Sequence, residues 1–416
     1  MECQEPAKAP KSPVYPTFDL LKEVELPTVL RRHEFAWLLG RSLSRAPYAA
    51  DLTSPETHQC EETLSGTQVP VWSAYNSLVN DALDVTRNAV PPLIASPAHE
   101  WNTLLTVLKQ AQKINTVVVG ANKETIVTLD LGLYQPAKKL QMARNDLNHL
   151  ILRPGELHIV MAQLRTIGSF IENSGIDLCW VESDLYGPST VKQIIEGKHV
   201  RRGQAAHLIT LQALFSMYQE AFFQFESQCH ESISKVATEL SEATARGKKE
   251  EVEQMHTRMI NTIESSKVLE KMSTFDMAND KKPMFKVMRH YMRMVMKMLA
   301  FIRAVRTGDW ELHLKTLVKF SRYFFAHDII NYARMIPIYL AEMEALKESD
   351  PDVIDEFKKG NWVVNKNSQA SFCALGADHA LEHINRSMKV SGGSLALPLI
   401  QTQAISSFSS LRKWQG

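Results

Sequence analysis

Asp130 is the residue whose type and position most clearly suggest chemistry. It ends a β-branched run in the segment Glu124-Thr-Ile-Val-Thr-Leu-Asp-Leu-Gly-Leu-Tyr134, and a helical stretch follows it. In α/β folds, ligand-binding and metal-binding groups lie at the carboxyl ends of strands. The same position also suits a helix N-cap, whose side chain accepts a hydrogen bond from a backbone N–H. Asp130 is therefore a candidate catalytic and metal-binding residue, with helix capping as the alternative.

Two further residues could act with Asp130. Glu382 lies within a helical stretch, one turn after Asp378, and acids at this spacing share one helix face. They could bind a divalent metal, since Mg²⁺ favours a few carboxylates, or form an ordinary solvated face. His158 follows the turn Arg153-Pro-Gly and the helix-opening Glu156, for which the helix dipole favours a capping role. We take Glu382 as a metal-binding and catalytic candidate, and His158 as a catalytic candidate that could instead be a buried, satisfied histidine.

A basic stripe is the strongest charge feature of the chain. Four basic residues recur at helical spacing between residues 281 and 306, and methionines recur every fourth residue beside them: Lys286, Arg289, Arg293 and Lys297, with Met284, Met288, Met292 and Met296. Such a helix can bind nucleic-acid phosphates, a membrane surface or an acidic partner. It can also be an ordinary helix with a methionine core face. A second short cluster, Lys198-His-Val-Arg-Arg202, adds Arg201 and Arg202 as candidate DNA contacts.

Bulk composition excludes several classes of protein. The chain has 416 residues, a formal net charge of +1, 44% hydrophobic residues and 22% charged residues, which are ordinary values for globular proteins. Its five scattered cysteines form no CxxC pair, so neither a zinc knuckle nor a disulfide framework is indicated. No signal peptide and no apolar run of roughly 18 residues is evident. We expect an intracellular protein, nuclear or cytoplasmic, without a membrane partner, and the sequence contains no Walker A, GxSxG or HExxH motif.

The candidate residues require α/β material on both sides of a helical block. Strands are predicted at 69–76, 115–120, 124–131, 149–153 and 361–365, with helices at 134–144, 156–173 and 376–389. Residues from about 200 to 348 carry apolar residues at helical spacing, interrupted by Pro337. We therefore predict an α/β plus all-α fold, in which a helical insertion interrupts an α/β domain.

Several segments, taken in order, carry a resemblance to a known family. They are Val69-Pro-Val-Trp-Ser-Ala-Tyr-Asn76, Val127-Thr-Leu-Asp-Leu-Gly-Leu-Tyr134, Arg153-Pro-Gly-Glu-Leu-His158, His327-Asp-Ile-Ile-Asn-Tyr-Ala-Arg334 and Ala377-Asp-His-Ala-Leu-Glu-His-Ile-Asn385. Over residues 67–393 the chain resembles transposable-element-derived animal proteins of the DDE/hAT transposase type. The resemblance implies a ribonuclease-H-like mixed sheet interrupted by a large helical insertion. It implies five segments: a tail and helical segment at 1–66, the first part of the core at 67–199, the insertion at 200–358, the end of the core at 359–393 and a disordered tail at 394–416.

Metal-dependent DNA cleavage and strand transfer is the activity that this resemblance implies. Three carboxylates would bind two Mg²⁺ or Mn²⁺ ions, with Asp130 as the second carboxylate and Glu382 as the third. The first should lie on an opening strand, where Asp51, Glu56 and Glu61 stand in a sequence that does not resemble a strand. We therefore expect a truncated or decayed copy with impaired catalysis. The alternative is a non-enzymatic helical interaction or DNA-binding protein.

Overall fold

The fold is built almost entirely from α-helices. The computed structural model describes residues 28–46, 48, 69–87, 89, 94, 96–120 and 123–391. In this part of the chain, helices α1 to α5 precede or flank two strands: α1, Thr28–Leu43; α2, Trp72–Val79; α3, Trp101–Val118; α4, Leu131–Ala143; α5, Glu156–Ile171. The remaining helices follow with short connections: α6, Ile176–Glu182; α7, Pro188–Ile195; α8, Val200–Phe225; α9, His230–Arg246; α10, Lys249–Ser265; α11, Val268–Ala278; α12, Pro283–Thr307; α13, Trp310–Ala326; α14, Ile330–Ser349; α15, Pro351–Lys358; α16, Ala377–Ser391.

A single pair of parallel strands stands among these helices. Strand β1, Thr125–Leu129, pairs with β2, Leu150–Pro154, in a register that joins Thr125 to Leu150 and Leu129 to Pro154. Helix α4 connects them, which confirms the strand–helix–strand unit predicted for this region. Within the described residues the sheet has only these two strands. The predicted ribonuclease-H-like mixed sheet, interrupted by a helical insertion, is therefore wrong, and the protein is mostly helical.

The predicted strand at 115–120 is the end of helix α3. Leu104, Leu108 and Ala111 form the buried face of this helix, and Val117 lies in its last turn on the exposed face. The Asn115 side-chain amide donates to the carbonyl oxygens of Lys123 and Glu124, at 3.0 and 3.3 Å. These bonds link the end of α3 to the segment that enters β1. The β-branched run thus forms the last turn of a helix, because a run this short does not distinguish a strand from a helix end.

Two other predicted strands also have a different structure. The segment 69–76 enters helix α2, in which Trp72 and Tyr75 are buried at helical spacing. The segment 361–365 forms one isolated antiparallel bridge, between Val364 and Leu375. Both segments are rich in aromatic and β-branched residues, which suit any buried environment and not only a sheet.

The helical block predicted after residue 200 is confirmed by helices α8 to α14. Pro337 was expected to kink or restart the last helix, and a restart is excluded because α14 continues through this residue from Ile330 to Ser349. The chain breaks instead between α13 and α14, where Asp328 adopts a left-handed conformation with φ of 53°. A left-handed residue ends a helix more sharply than a proline within it.

One buried cation ties the strand pair to the helical block. The guanidinium of Arg153, at the end of β2, is fully buried and lies 5.1 to 5.4 Å from the ring centroids of Trp310, Phe357 and Trp362. It donates a hydrogen bond to the Trp362 carbonyl oxygen at 3.1 Å. Aromatic faces stabilise a guanidinium that has lost its water. This contact fixes the carboxyl end of β2 against α13 and α15.

Some predictions lie outside the described residues. They concern the candidate first acids Asp51, Glu56 and Glu61, and the disordered tail at 394–416. The boundaries of the five predicted segments stay a prediction. None of the described helices is both long enough and apolar enough to cross a membrane.

Candidate functional site

Asp130 occupies the N-cap position of helix α4. Its Oδ1 accepts a hydrogen bond from the Leu133 backbone N–H at 2.7 Å, and its backbone is extended, with φ of −61° and ψ of 162°. This is the geometry by which an aspartate satisfies a free N–H at the start of a helix. The capping alternative for Asp130 therefore accounts for the position of its carboxylate.

Asp378 caps helix α5 from a distant part of the chain. Gly155, at the N-cap of α5, has no side chain with which to cap it. The Asp378 carboxylate accepts instead from the backbone N–H groups of Leu157 and His158, both at 3.2 Å, and from His158 Nδ1 at 3.0 Å. A Cβ atom on Gly155 would clash with this carboxylate. Helix α16 is thereby fastened to the carboxyl end of β2.

His158 lies among three carboxylates. Burial lowers its pKa, but the hydrogen bond that it donates to Asp378 and the charges of Asp378, Asp130 and Glu382 outweigh that effect, so its pKa is raised. The structure thus places Asp378 in contact with His158, and it places Asp130 and Glu382 near enough for their charges to act on the pKa of His158. The Tyr332 hydroxyl donates to the His158 carbonyl oxygen at 2.9 Å and joins α14 to the cluster.

A second ion pair lies beneath this cluster. Glu156 contacts the Arg153 guanidinium, and both side chains are almost completely buried. Burial raises the pKa of Glu156 to about 7, against the lowering effect of Arg153. Breaking a buried pair by removing one partner is strongly destabilising, by about 3 to 5 kcal/mol. We therefore assign Arg153 and Glu156 a structural role under the His158 cluster.

The residues of this cluster do not fit the two-metal site that the resemblance implies. Asp130 is engaged as an N-cap, and the Asp378 carboxylate already accepts four hydrogen bonds. Over the described residues, no group of three or more His, Cys, Asp and Glu side chains could hold a metal ion. In this structure Asp130 caps α4 and His158 contacts Asp378, while Glu382 acts on His158 through its charge.

Three residues of the basic stripe of α12, Arg289, Arg293 and Lys297, line a groove of about 520 Å³, whereas Lys286 is exposed outside its lining. Helices α1, α8, α11, α12 and α13 contribute its walls. Five basic and two acidic side chains line it: Arg289, Arg293, Lys297, Lys319 and Arg322, with Glu34 and Asp276. Rings of Phe35, Phe215, Tyr218 and Tyr323 line it as well. The groove therefore combines a surplus of positive charge with aromatic surface.

Two aspartates hold part of the basic stripe in place. Asp276, which is buried, lies 2.8 Å from Arg293 and 3.6 Å from Arg289, and accepts a hydrogen bond from the Tyr218 hydroxyl. Asp280 lies 3.0 Å from Arg289 and 3.4 Å from Lys286. Two carboxylates face three cations here, so these pairs orient the guanidinium groups without neutralising the stripe.

Lys297 and the Lys198–Arg202 cluster have different surroundings. Lys297 donates to the Tyr323 hydroxyl at 2.6 Å and lies 4.7 Å from the centre of that ring. Arg201 and Arg202 are exposed in the first turn of α8 and are not among the groove-lining residues. Burial is the main cause of the lowered pKa of His383, and the charge of Arg201 adds to it, so Arg201 lies near His383. The structure thus places the two predicted basic clusters in different surroundings.

Several groove residues come from helices for which the sequence predicted no binding role. Lys319, Arg322 and Tyr323 come from α13, and Asp276 comes from α11. Lys319, Arg322 and Tyr323 occupy neighbouring turns of one helix, so a second, shorter basic pattern was present. No sequence signal indicated that it would face α12.

The fold and groove define a mostly helical protein with a basic, aromatic cleft. The chain belongs to the family described as a domain of unknown function (DUF8702), whose model matches residues 71–414. No curated protein and no solved structure matches the chain.

Proposed function

We propose that this protein is a non-enzymatic helical protein that binds nucleic acid in the groove along α12. The observation that carries the proposal is the composition of the groove: cations from α12 and α13 outnumber the acids, and aromatic rings line the same groove. Phosphates supply the negative charge that such a groove attracts, and bases supply faces for its rings.

The positive charge is concentrated in the groove, which supports nucleic-acid binding at this surface and not a general attraction by the net charge of the whole protein. The whole chain has a net charge of +1. Electrostatic attraction of DNA must therefore depend on a concentrated patch. Arg293 is about half exposed while it pairs with Asp276, so part of its guanidinium faces solvent in a fixed orientation. A fixed guanidinium loses less entropy when it contacts a phosphate.

Binding of a labelled DNA oligonucleotide, measured by fluorescence anisotropy over a range of salt concentrations, tests the proposal. The double variant Arg293→Gln/Lys297→Gln should weaken binding and reduce the slope of log K against log salt by about 1.4 to 1.8, because each lost phosphate contact contributes about 0.7 for single strands and 0.9 for duplex. Arg258→Gln/Lys358→Gln is the matched control. It removes the same charge from exposed residues that also pair with acids but lie outside the groove lining.

Equal salt slopes for the two double variants would show that the groove makes no phosphate contacts. Undetectable binding of DNA by the unmodified protein at low salt would reject the function itself. Transposase ancestry, with Mg²⁺ or Mn²⁺ as cofactor, stays a prediction from the motif resemblance. A nicking assay with either metal checks it, and cleavage lost in Asp130→Asn would favour it over the proposed function.

A further inference from the structure

Four aromatic rings form a continuous path that begins in the groove. Tyr323, which lines the groove, has its ring centre 5.4 Å from that of His290. His290 lies 5.1 Å from Phe170, and Phe170 lies 6.0 Å from His327. We call these four residues the ring path. Phe170 belongs to α5, His290 to α12 and Tyr323 to α13, and His327 is the C-cap residue of α13. The path therefore crosses three helices.

The rings of the path are available on the surface. All four side chains are partly exposed, in contrast to the buried aromatic residues of the core. Neighbouring rings meet at angles of 79°, 44° and 76°, and none of the three contacts is a parallel stack. The path is therefore a series of edge-to-face and tilted contacts, and the partial exposure of each residue leaves ring surface in contact with solvent.

Both histidines of the path favour the uncharged ring. Burial, followed by the charges of Lys297, Arg293, His327 and Arg289, lowers the pKa of His290. Burial also lowers the pKa of His327, against the raising effect of Asp328. Near neutral pH the path is thus a row of neutral aromatic surfaces.

Cations border the ring path where it meets the groove. The Lys297 ammonium lies over the Tyr323 ring, and Arg289 and Arg293 are close enough to affect His290. A row of rings with cations beside it matches a nucleic-acid strand whose bases are exposed, because bases stack on the rings while phosphates meet the cations. A duplex does not offer this arrangement, since its base faces are covered by neighbouring base pairs.

We propose that the ring path is a base-stacking surface, and that the nucleic acid bound by this protein is single-stranded. This inference rests on the proposed function and names the form of nucleic acid that the groove takes. Unpaired bases lie on Phe170, His290 and Tyr323, while their phosphates follow Arg293 and Lys297.

The test compares a labelled single-stranded DNA oligonucleotide with the duplex of the same sequence and length, at one salt concentration. We expect the unmodified protein to bind the single strand at least tenfold more tightly. The double variant Phe170→Leu/His290→Gln removes two rings but keeps side chains of similar size. It should weaken single-strand binding by about fivefold or more, because at least one base–ring stack is lost. Duplex binding should be unchanged.

The control variant is Phe170→Tyr, which keeps the ring and should bind the single strand as the unmodified protein does. Circular dichroism and urea unfolding establish that each variant is folded, and Tyr323→Leu is the second probe if the double variant is not. Equal or tighter binding of the duplex overturns the single-strand inference while the proposed function stands. Single-strand binding unaffected by either set of ring substitutions overturns the stacking surface. Binding of a polyglutamate peptide in place of either DNA overturns both proposals.

Discussion

At the scale of single residues, Asp130 shows how one carboxylate can suit two kinds of site. Metal ligands and helix N-caps both lie after a strand and before a helix. The two roles differ in what they require of the side chain. A cap needs only an oxygen that accepts from a backbone N–H, which asparagine also provides, whereas a metal ligand needs the negative charge. The contact with the Leu133 N–H favours the cap.

Substitution of Asp130 separates these roles. We expect Asp130→Asn to change the free energy of unfolding by less than about 0.5 kcal/mol, and Asp130→Ala to lower it by about 1 kcal/mol, because only alanine removes the capping oxygen. Urea denaturation followed by circular dichroism measures both.

Asp309 provides a matched control at another helix. It caps α13 through the Leu312 N–H at 2.9 Å, and no chemistry was predicted for it. The pair Asp309→Asn and Asp309→Ala should repeat the pattern. A loss at Asp130→Asn as large as at Asp130→Ala, with no such loss at Asp309→Asn, would mean that Asp130 needs its charge.

At the scale of elements, the sequence was sufficient where periodicity was long. The helices of the block after residue 200 carry apolar residues over many turns, and a long periodic pattern has one interpretation. The run Thr116-Val-Val-Val119 is too short to distinguish a strand from the end of a helix, and it became the end of α3. The error in fold class followed from such short runs. Each run was predicted as a strand of a larger sheet, whereas the described residues form a sheet of two strands.

The candidate site was predictable only within single helices. The basic stripe of α12 follows from spacing, and the structure retains it as one wall of a groove. Asp378 lies 220 residues from His158, so its capping of α5 depends on tertiary packing. Sequence patterns describe what a helix presents on each face, and they do not specify which other helix it meets.

Close packing between elements makes one glycine essential. A Cβ on Gly168 of α5 would lie 2.7 Å from the Ile195 Cα and would clash with the Ile195 carbonyl oxygen, both backbone atoms at the end of α7. We expect Gly168→Ala to lower the free energy of unfolding by about 1 to 3 kcal/mol, because the two backbones must separate. Thermal unfolding or urea denaturation measures the change.

Gly203 in α8 is the matched control for that substitution. A Cβ there would meet only side-chain atoms, at 3.4 to 3.7 Å, which is ordinary contact. Gly203→Ala should therefore raise the free energy of unfolding by about 0.5 to 1 kcal/mol through helix propensity. Similar effects of the two substitutions would show that α5 and α7 are not packed as closely as described.

At the scale of the whole molecule, buried histidines set the response to acid. Burial lowers the pKa of His207 to about 3 and those of His256 and His379 to about 4. Burial also holds the pKa of His33 and His313 well below the usual value. His158 acts in the opposite direction, because its raised pKa adds stability at low pH that is lost as pH rises. Burial also lowers the pKa of His290, His327 and His383, and it raises the pKa of Glu156 and Glu342, which act in the same direction as His158. Among the described residues, eight histidines with lowered pKa values outnumber these three groups, so acid is destabilising on balance.

We expect the free energy of unfolding to fall steeply as pH drops below about 6.5. The unfolded chain then takes up protons that the buried rings exclude, and each such histidine costs about 1.4 kcal/mol per pH unit. Urea denaturation at pH 7, 6 and 5 measures the slope. His207→Phe keeps a ring against Trp180 and should reduce the slope by about one histidine's share. A protein equally stable at pH 7 and pH 5 would require these rings to reach water in the folded state, and the burial of the helical core would then be wrong.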